Sequence, residues 1–191
     1  RIAAVKDVTC RPEFLVMPQQ NAIYRVDYTP PAYLIESVDL TVSIDAERTR
    51  VRTTLTLRRN GAGTTLELFG VDLETQGIWL NQRELPPSAY HIEGERLVLE
   101  QVPERCELIT EVLIAPAANT ALEGFYQSGE FLLTQCEAEG FRKITWFLDR
   151  PDVMARFRVR MEADAGRYPV LLSNGSLAAA GKLPAGRDFA V

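Results

Sequence analysis

The sequence predicts an all-β domain, and two observations lead to that class. Apolar and polar residues alternate with a period of two in several segments, as in half-buried strands. These segments recur at intervals of about 8–12 residues, which is typical of an antiparallel sandwich or barrel. Few windows show the period of about 3.6 residues that helices require. With 191 residues, the chain can bury a core of substantial size.

The first two strands show the alternation most clearly. Residues 38–44 place Val38, Leu40, Val42 and Ile44 on one face and polar residues between them. Residues 48–58 repeat the pattern. One face carries Val51, Thr53, Leu55 and Leu57, and the other carries Arg52, Thr54, Thr56 and Arg58. The intervening "DAER" is short enough for a hairpin connection. We therefore predict that the two strands pair with each other.

Further strands are predicted along the rest of the chain. The segments are 64–70, 77–80, 96–102, 106–116, 131–137 and 155–164, with turns at Gly and Pro clusters between them. A short helical turn is expected near 149–156, after Pro151. We assign the β-domain to 23–191. Residues 1–22 carry no defensible pattern and are treated as an extension of unknown structure.

Composition disfavours several partners. The net charge is −5, whereas a nucleic-acid backbone or an anionic membrane attracts clustered lysine and arginine. The loose group Arg52, Arg58 and Arg59 is typical of a solvated strand face. No apolar run approaches the ~18–20 residues of a membrane span. Three widely spaced cysteines favour reduced thiols over a disulfide framework. We expect a cytoplasmic protein that binds neither nucleic acid nor membrane.

Residues for demanding chemistry are scarce. The chain has one histidine, His91, whereas catalytic zinc sites use three protein ligands that usually include histidine. No C-x-x-C pair and no nucleophile elbow occur. We predict no catalytic residue and no metal site in this sequence.

The stretch "FLLTQCEAEGFRKITWFLDRPD" (131–152) is the most unusual in composition. As a strand over 131–137, it would place Phe131, Leu133, Gln135 and Glu137 on one face, changing from apolar to polar. Such a face could leave a core and open into a cleft, where a carboxylate suits an ammonium partner. Periodicity alone leaves the alternative open that Glu137 and Glu139 are solvated charges at a strand end.

The same stretch carries a resemblance to a known family. "TQCEAEGFRKITWFLDRPDVMARF" (134–157) resembles the N-terminal domain of bacterial aminopeptidase N, a zinc metallopeptidase of the gluzincin class. "APAANTALEGFYQSGEFLLTQCEAEGF" (115–141) is close to the family pattern, and "YRVDYTPPAYLIESVDLTVSID" (24–45) resembles the start of that domain. "YPVLLSNG" (168–175) resembles the strand near its end. The resemblance extends over about 23–191.

The resemblance implies a fold and a site. In that family the first domain is a twisted, saddle-like β-sandwich packed against a thermolysin-like catalytic domain. The glutamate of the "TQCEAEG" motif binds the free α-amino group of the peptide substrate, and the glutamine lines the pocket for its first side chain. By resemblance, Glu137 and Gln135 are the substrate-binding residues of this chain.

The resemblance also implies what this sequence lacks. The family's exopeptidase motif G-x-M-E-N and zinc motif H-E-x-x-H do not occur here. They lie downstream in the family, so we expect the zinc ion and the general base to belong to an absent catalytic domain. The isolated chain is predicted to be inactive and to bind no cofactor. Its partners would be that domain and peptides with a free N-terminus. The alternative is a non-enzymatic interaction or scaffold module of the same superfamily.

Overall fold

A computed structural model of the chain describes residues 24–191, where strands make up nearly all of the regular structure. Residues 24–30 belong to one compact unit and contain a single 3-10 turn, Arg25–Asp27. The second unit, Pro31–Val191, contains every strand found in residues 24–191. The expectations for 1–22 lie outside the described residues.

The strands follow one another with short connections. In chain order they are β1 (Tyr33–Ser43), β2 (Thr49–Arg59), β3 (Leu66–Phe69), β4 (Glu74–Leu80), β5 (Arg83–Glu84), β6 (His91–Glu93), β7 (Arg96–Leu99), β8 (Arg105–Ile114), β9 (Gly124–Ser128), β10 (Phe131–Gln135), β11 (Arg156–Asp164), β12 (Ala180–Leu183) and β13 (Arg187–Ala190). Short 3-10 turns occur at Pro87–Ala89, Pro116–Ala118, Phe141–Lys143 and Pro184–Gly186. Residues 24–191 contain no helix with the length and apolar composition that a bilayer span requires.

Three sheets result from this order. Eight strands form the large sheet in the order β12-β13-β11-β1-β2-β8-β4-β5. A small sheet has the order β3-β7-β6, and β9 and β10 form a separate hairpin. Leu55 and Leu57 of the large sheet and Leu68 and Leu97 of the small sheet belong to one buried cluster. The two sheets therefore pack face to face, and the predicted all-β sandwich is confirmed.

The alternation in β1 and β2 determines which side chains form the core. Val38 pairs with Leu55, and Leu40 with Thr53, in the antiparallel register. Side chains at these positions are buried, and the residues between them face the opposite side of the sheet. Each fully buried leucine stabilises the fold by about 1.5–3 kcal/mol relative to an exposed one. The predicted β1–β2 hairpin is confirmed.

One strand pair departs from the predicted antiparallel arrangement. β1 and β11 are parallel, with Val38 opposite Phe157 and Leu40 opposite Val159. A hairpin enforces antiparallel pairing only between strands that are neighbours in sequence, and these two are joined by a long crossover. Alternation reveals a buried face but not the direction of the neighbouring strand.

Two local expectations need correction. The helical turn expected near 149–156 is a single turn at residues 151–152, closed by the Val153 N–H donating to the Arg150 carbonyl at 3.2 Å, and β11 begins at Arg156. The segment 168–175, which resembles a strand, forms none in this structure. Its apolar side chains Val170 and Leu172 are exposed, and among the described residues none offers a backbone hydrogen bond to 169–175.

Candidate functional site

Gln135 and Glu137 lie at the base of the β9–β10 hairpin. Gln135 is the last residue of β10 and pairs with Gly124, the first residue of β9. Both Gln135 and Glu137 are exposed, and the Gln135 side-chain amide donates a long hydrogen bond of 3.4 Å to the Glu137 carbonyl oxygen. The structure thus brings the two predicted substrate-binding residues together at one end of the hairpin.

Glu137 lies on a turn, which corrects the expected strand over 131–137. β10 ends at Gln135, and residues 137–140 form a turn closed by the Gly140 N–H donating to the Cys136 carbonyl at 2.9 Å. The Glu137–Ala138 peptide bond is cis. Glu137 therefore does not continue the face of Phe131, Leu133 and Gln135. Its direction is determined by the turn.

Glycine is required where the turn ends. A Cβ at Gly140 would lie 2.6 Å from the Gln135 carbonyl oxygen and 3.0 Å from the Cys136 Cα. It would also lie 3.1 Å from the Gly124 backbone nitrogen. All three atoms are backbone, so no side-chain rotation could relieve the contact. The turn thus folds back tightly onto the strands that precede it.

Arg142 and Asp149 support the turn from the other side. The Arg142 backbone N–H and Nε both donate to Asp149 Oδ2 at 3.0 Å, and Arg142 Nη2 donates to the Asp149 carbonyl at 3.1 Å. Arg142 Nη2 also lies 3.0 Å from Glu139 Oε2, inside the turn. The Arg142 and Asp149 side chains are only 17% and 9% exposed. Buried charges of this kind require such pairing.

The residues between Arg142 and Asp149 fix the segment in the core. Thr145 is fully buried, and its hydroxyl lies 2.7 Å from the Thr53 hydroxyl of β2. The Trp146 indole N–H donates to the Thr75 hydroxyl at 2.9 Å, and Phe147 forms a β-bridge with Phe69. The site is therefore attached to both sheets of the sandwich.

Cys136, between the two candidate residues, faces the core. It is half-buried and packs against the buried cluster. Burial, together with the negative charge of Asp149, raises the pKa of the Cys136 thiol to about 11. Cys106 is buried, and both thiols are free. Cys10 lies outside the described residues.

The arrangement presents one carboxylate to solvent without a partner. Within residues 24–191, the Glu137 carboxylate forms no hydrogen bond or ion pair, whereas Glu139 is engaged by Arg142. An exposed carboxylate beside an amide can accept hydrogen bonds from a cationic group.

Sequence reasoning missed Arg142 and Asp149. Their only signal was a pair of opposite charges flanking the apolar run "ITWFL".

His91 does not belong to a group of potential metal ligands in residues 24–191. It is an exposed residue of β6. In the described part of the chain, no three His, Cys, Asp or Glu side chains come together in a group that could hold a metal ion. The residues described here therefore do not fit a zinc site.

Comparisons with known proteins agree with this fold. Residues 36–190 match the family of the Peptidase M1 N-terminal domain. Aminopeptidase N of Escherichia coli (strain K12) is 49% identical over 172 residues, covering 90% of this chain and 20% of that protein. Legionella pneumophila aminopeptidase A, solved in complex with aspartic acid, has a TM-score of 0.81 and 27% identity, with 86% of this chain and 20% of that chain covered.

A more distant structure shows the same fold. The E323A mutant of the M1 zinc metallopeptidase of Deinococcus radiodurans, bound to a Tyr-Ser-Ala substrate, has a TM-score of 0.69 and 14% identity. The superposition covers 83% of this chain and 38% of the Deinococcus radiodurans chain. The chain spans about a fifth of the length of the curated relatives it matches. The match over 36–190 and the identity to aminopeptidase N have one reading: this chain belongs to the Peptidase M1 N-terminal domain family.

Proposed function

We propose that this chain is the N-terminal β-domain of a zinc-dependent aminopeptidase that removes N-terminal amino acids from peptides. Glu137 would bind the substrate α-amino group, and Gln135 would form part of the pocket for the first side chain. The observation that carries the proposal is the solvent-facing Glu137 carboxylate, unpaired within residues 24–191, on a turn supported from both sides.

The relatives support this reaction class. Aminopeptidases and M1 zinc metallopeptidases share the sequence or the fold, and their bound ligands include aspartic acid and a Tyr-Ser-Ala substrate. Both ligands carry the α-amine that an anchor of this kind would recognise. The catalytic domain, as the intramolecular partner, would present the scissile bond while the β-domain holds the amine.

The physical advantage of a carboxylate is selectivity for the end of a peptide. A free α-amine has a pKa of about 7.7–8.0, so it is mostly charged at neutral pH. At ~4 Å and an effective dielectric constant of about 20, its attraction to a carboxylate is about 4 kcal/mol before desolvation. An internal amide offers no charge to offset the desolvation of Glu137. Internal peptide bonds would therefore be excluded.

Zinc has no place among the described residues of this chain. In the proposed enzyme the ion belongs to the catalytic domain, where it would act as the Lewis acid in peptide hydrolysis. Gln135 and Glu137 would only bind and orient the substrate. The chain alone is expected to hydrolyse no aminoacyl anilide and to retain no stoichiometric zinc.

The test is Glu137→Gln in the full-length enzyme. This change keeps the shape of the side chain and replaces an ion pair by a neutral hydrogen bond. A loss of ~1–3 kcal/mol of charge-assisted binding lowers kcat/KM by roughly 5- to 150-fold. The decrease should be similar for every substrate with a free amine. Gln135→Ala should instead act unevenly across first side chains. A Glu137→Gln enzyme within about twofold of wild type would refute the proposal.

A further inference from the structure

The direction of the Glu137 carboxylate depends on the backbone that carries it. Among residues 24–191 no side chain holds this carboxylate. On the upstream side the turn is joined to β10, where Gln135 pairs with Gly124. Its downstream side must be fixed separately, since residues 137–140 contribute to no strand.

The downstream side is fixed through Glu139. Its carboxylate lies 3.0 Å from Arg142 Nη2, and the same nitrogen donates to the Asp149 carbonyl at 3.1 Å. Asp149 is held in turn by Arg142 Nε and by the Arg142 backbone N–H. The Arg142 carbonyl accepts a hydrogen bond from the Val71 N–H at 2.9 Å. A continuous set of polar contacts thus runs from the turn into the buried part of the domain.

We propose that Arg142 is a positioning residue for the amine anchor. Arg142, held by Asp149, binds Glu139 and so sets the turn that aims Glu137 at the substrate α-amine. The Glu139 carboxylate is engaged by Arg142, which leaves Glu137 as the one carboxylate of the turn that is free to receive the amine. This inference rests on the proposed function of Glu137 and adds the group that orients it.

The experiment measures discrimination between two ligands in the full-length enzyme. L-leucine and 4-methylpentanoate share a side chain and a carboxylate, but only L-leucine carries the α-amine. The inhibition constant of 4-methylpentanoate divided by that of L-leucine reports binding of the amine. This ratio cancels effects that are common to both ligands. Glu137→Gln should reduce this ratio by roughly 5- to 150-fold and serves as the reference variant.

Two variants then test Arg142. Arg142→Gln removes the charge and should reduce the ratio by about 5-fold or more, with partial recovery in Arg142→Lys, which retains the charge but not the forked geometry. Glu139→Ala breaks only the link to the turn and should reduce the ratio in the same direction. Its melting temperature should stay nearly unchanged, because Glu139 is 58% exposed and exposed ion pairs add little stability.

A matched control is available on the small sheet. Arg96 is also paired with two carboxylates, Glu67 and Glu93, and lies on β7. Arg96→Gln should leave the ratio at the wild-type value.

If Glu137→Gln reduces the ratio but Glu139→Ala and folded Arg142→Gln do not, the positioning role is wrong. If Glu137→Gln itself leaves the ratio unchanged, the proposed function fails first. Should Arg142→Gln not fold, Glu139→Ala decides alone.

Discussion

Replacing Gly140 by alanine tests whether the turn is packed as tightly as the structure shows. Gly140 is buried and has φ −82° and ψ −12°, which alanine adopts without strain. The added methyl group would nevertheless lie 2.6 Å from the Gln135 carbonyl oxygen. Any loss of stability caused by the substitution therefore comes from steric contact and not from backbone strain.

The expected loss of stability follows from two opposing contributions. Alanine in an allowed conformation stabilises a protein by about 0.4–1 kcal/mol, because it restricts the unfolded chain. Overpacking against atoms that cannot rotate away costs about 1–3 kcal/mol. Because three backbone atoms lie within 3.1 Å of the new carbon, the steric contribution should dominate. A melting temperature lowered by about 2–4 °C per kcal/mol of net loss should follow.

Gly175→Ala provides the matched control. Gly175 has open space around its Cβ position and lies outside the strands. Thermal and urea denaturation of this chain should show Gly140→Ala clearly less stable than wild type and Gly175→Ala within about 0.5 kcal/mol of it. Equal stability of the two variants would mean that the turn has room to relax, and the tight packing described here would be wrong.

Three further predictions concern the rest of the domain. Iodoacetamide should label native Cys136 roughly 100-fold more slowly at pH 8 than a thiol with the ordinary pKa of 9.0, because its pKa of about 11 leaves little thiolate. Rapid labelling would contradict its burial, and denatured, non-reduced protein should show three free thiols. Trp146→Ala should cost about 3–5 kcal/mol of unfolding free energy, measured in urea, since Trp146 is 2% exposed. Phe131→Ser should weaken binding of an apolar dye, because Phe131 is 76% exposed; unchanged dye binding would place the apolar surface elsewhere.

Strand positions could be read from the sequence because burial and alternation are local properties. Val38, Leu40 and Val42 of β1 alternate in the chain and are buried in the structure. The direction of β11 could not be read in this way, since it depends on a partner strand far away in the sequence. An alternating pattern is the same for parallel and antiparallel neighbours.

Burial of single aromatic residues was harder to predict. The sequence does not show whether Trp146 and Phe147 belong to the core or to an exposed apolar surface beside 131–148; in the structure both are buried. Their partners, Thr75 and Phe69, lie more than 70 residues earlier in the chain. Phe131 and Leu133 of β10 instead provide exposed apolar side chains in that region.

At the candidate site, too, some features could be predicted from the sequence and others could not. Its two residues were found through a motif resemblance, and the structure places them beside each other. Periodicity could not show that β10 ends at Gln135, because the strand is followed by a turn that folds back so closely that a Cβ at Gly140 would lie within 3.1 Å of three backbone atoms. Nor could it show the support from Arg142 and Asp149, which follows from how the apolar run between them enters the core.

The most direct test of the account is the distance between the Glu137 carboxylate and a bound α-amine. A crystal structure of the full-length enzyme with a bound amino acid would measure it. If Glu137 is the amine anchor, the ligand nitrogen should lie about 2.7–3.2 Å from a Glu137 oxygen, the range of charge-assisted hydrogen bonds. An α-amine held by other carboxylates, with Glu137 more than about 4 Å away, would contradict the role proposed for this domain.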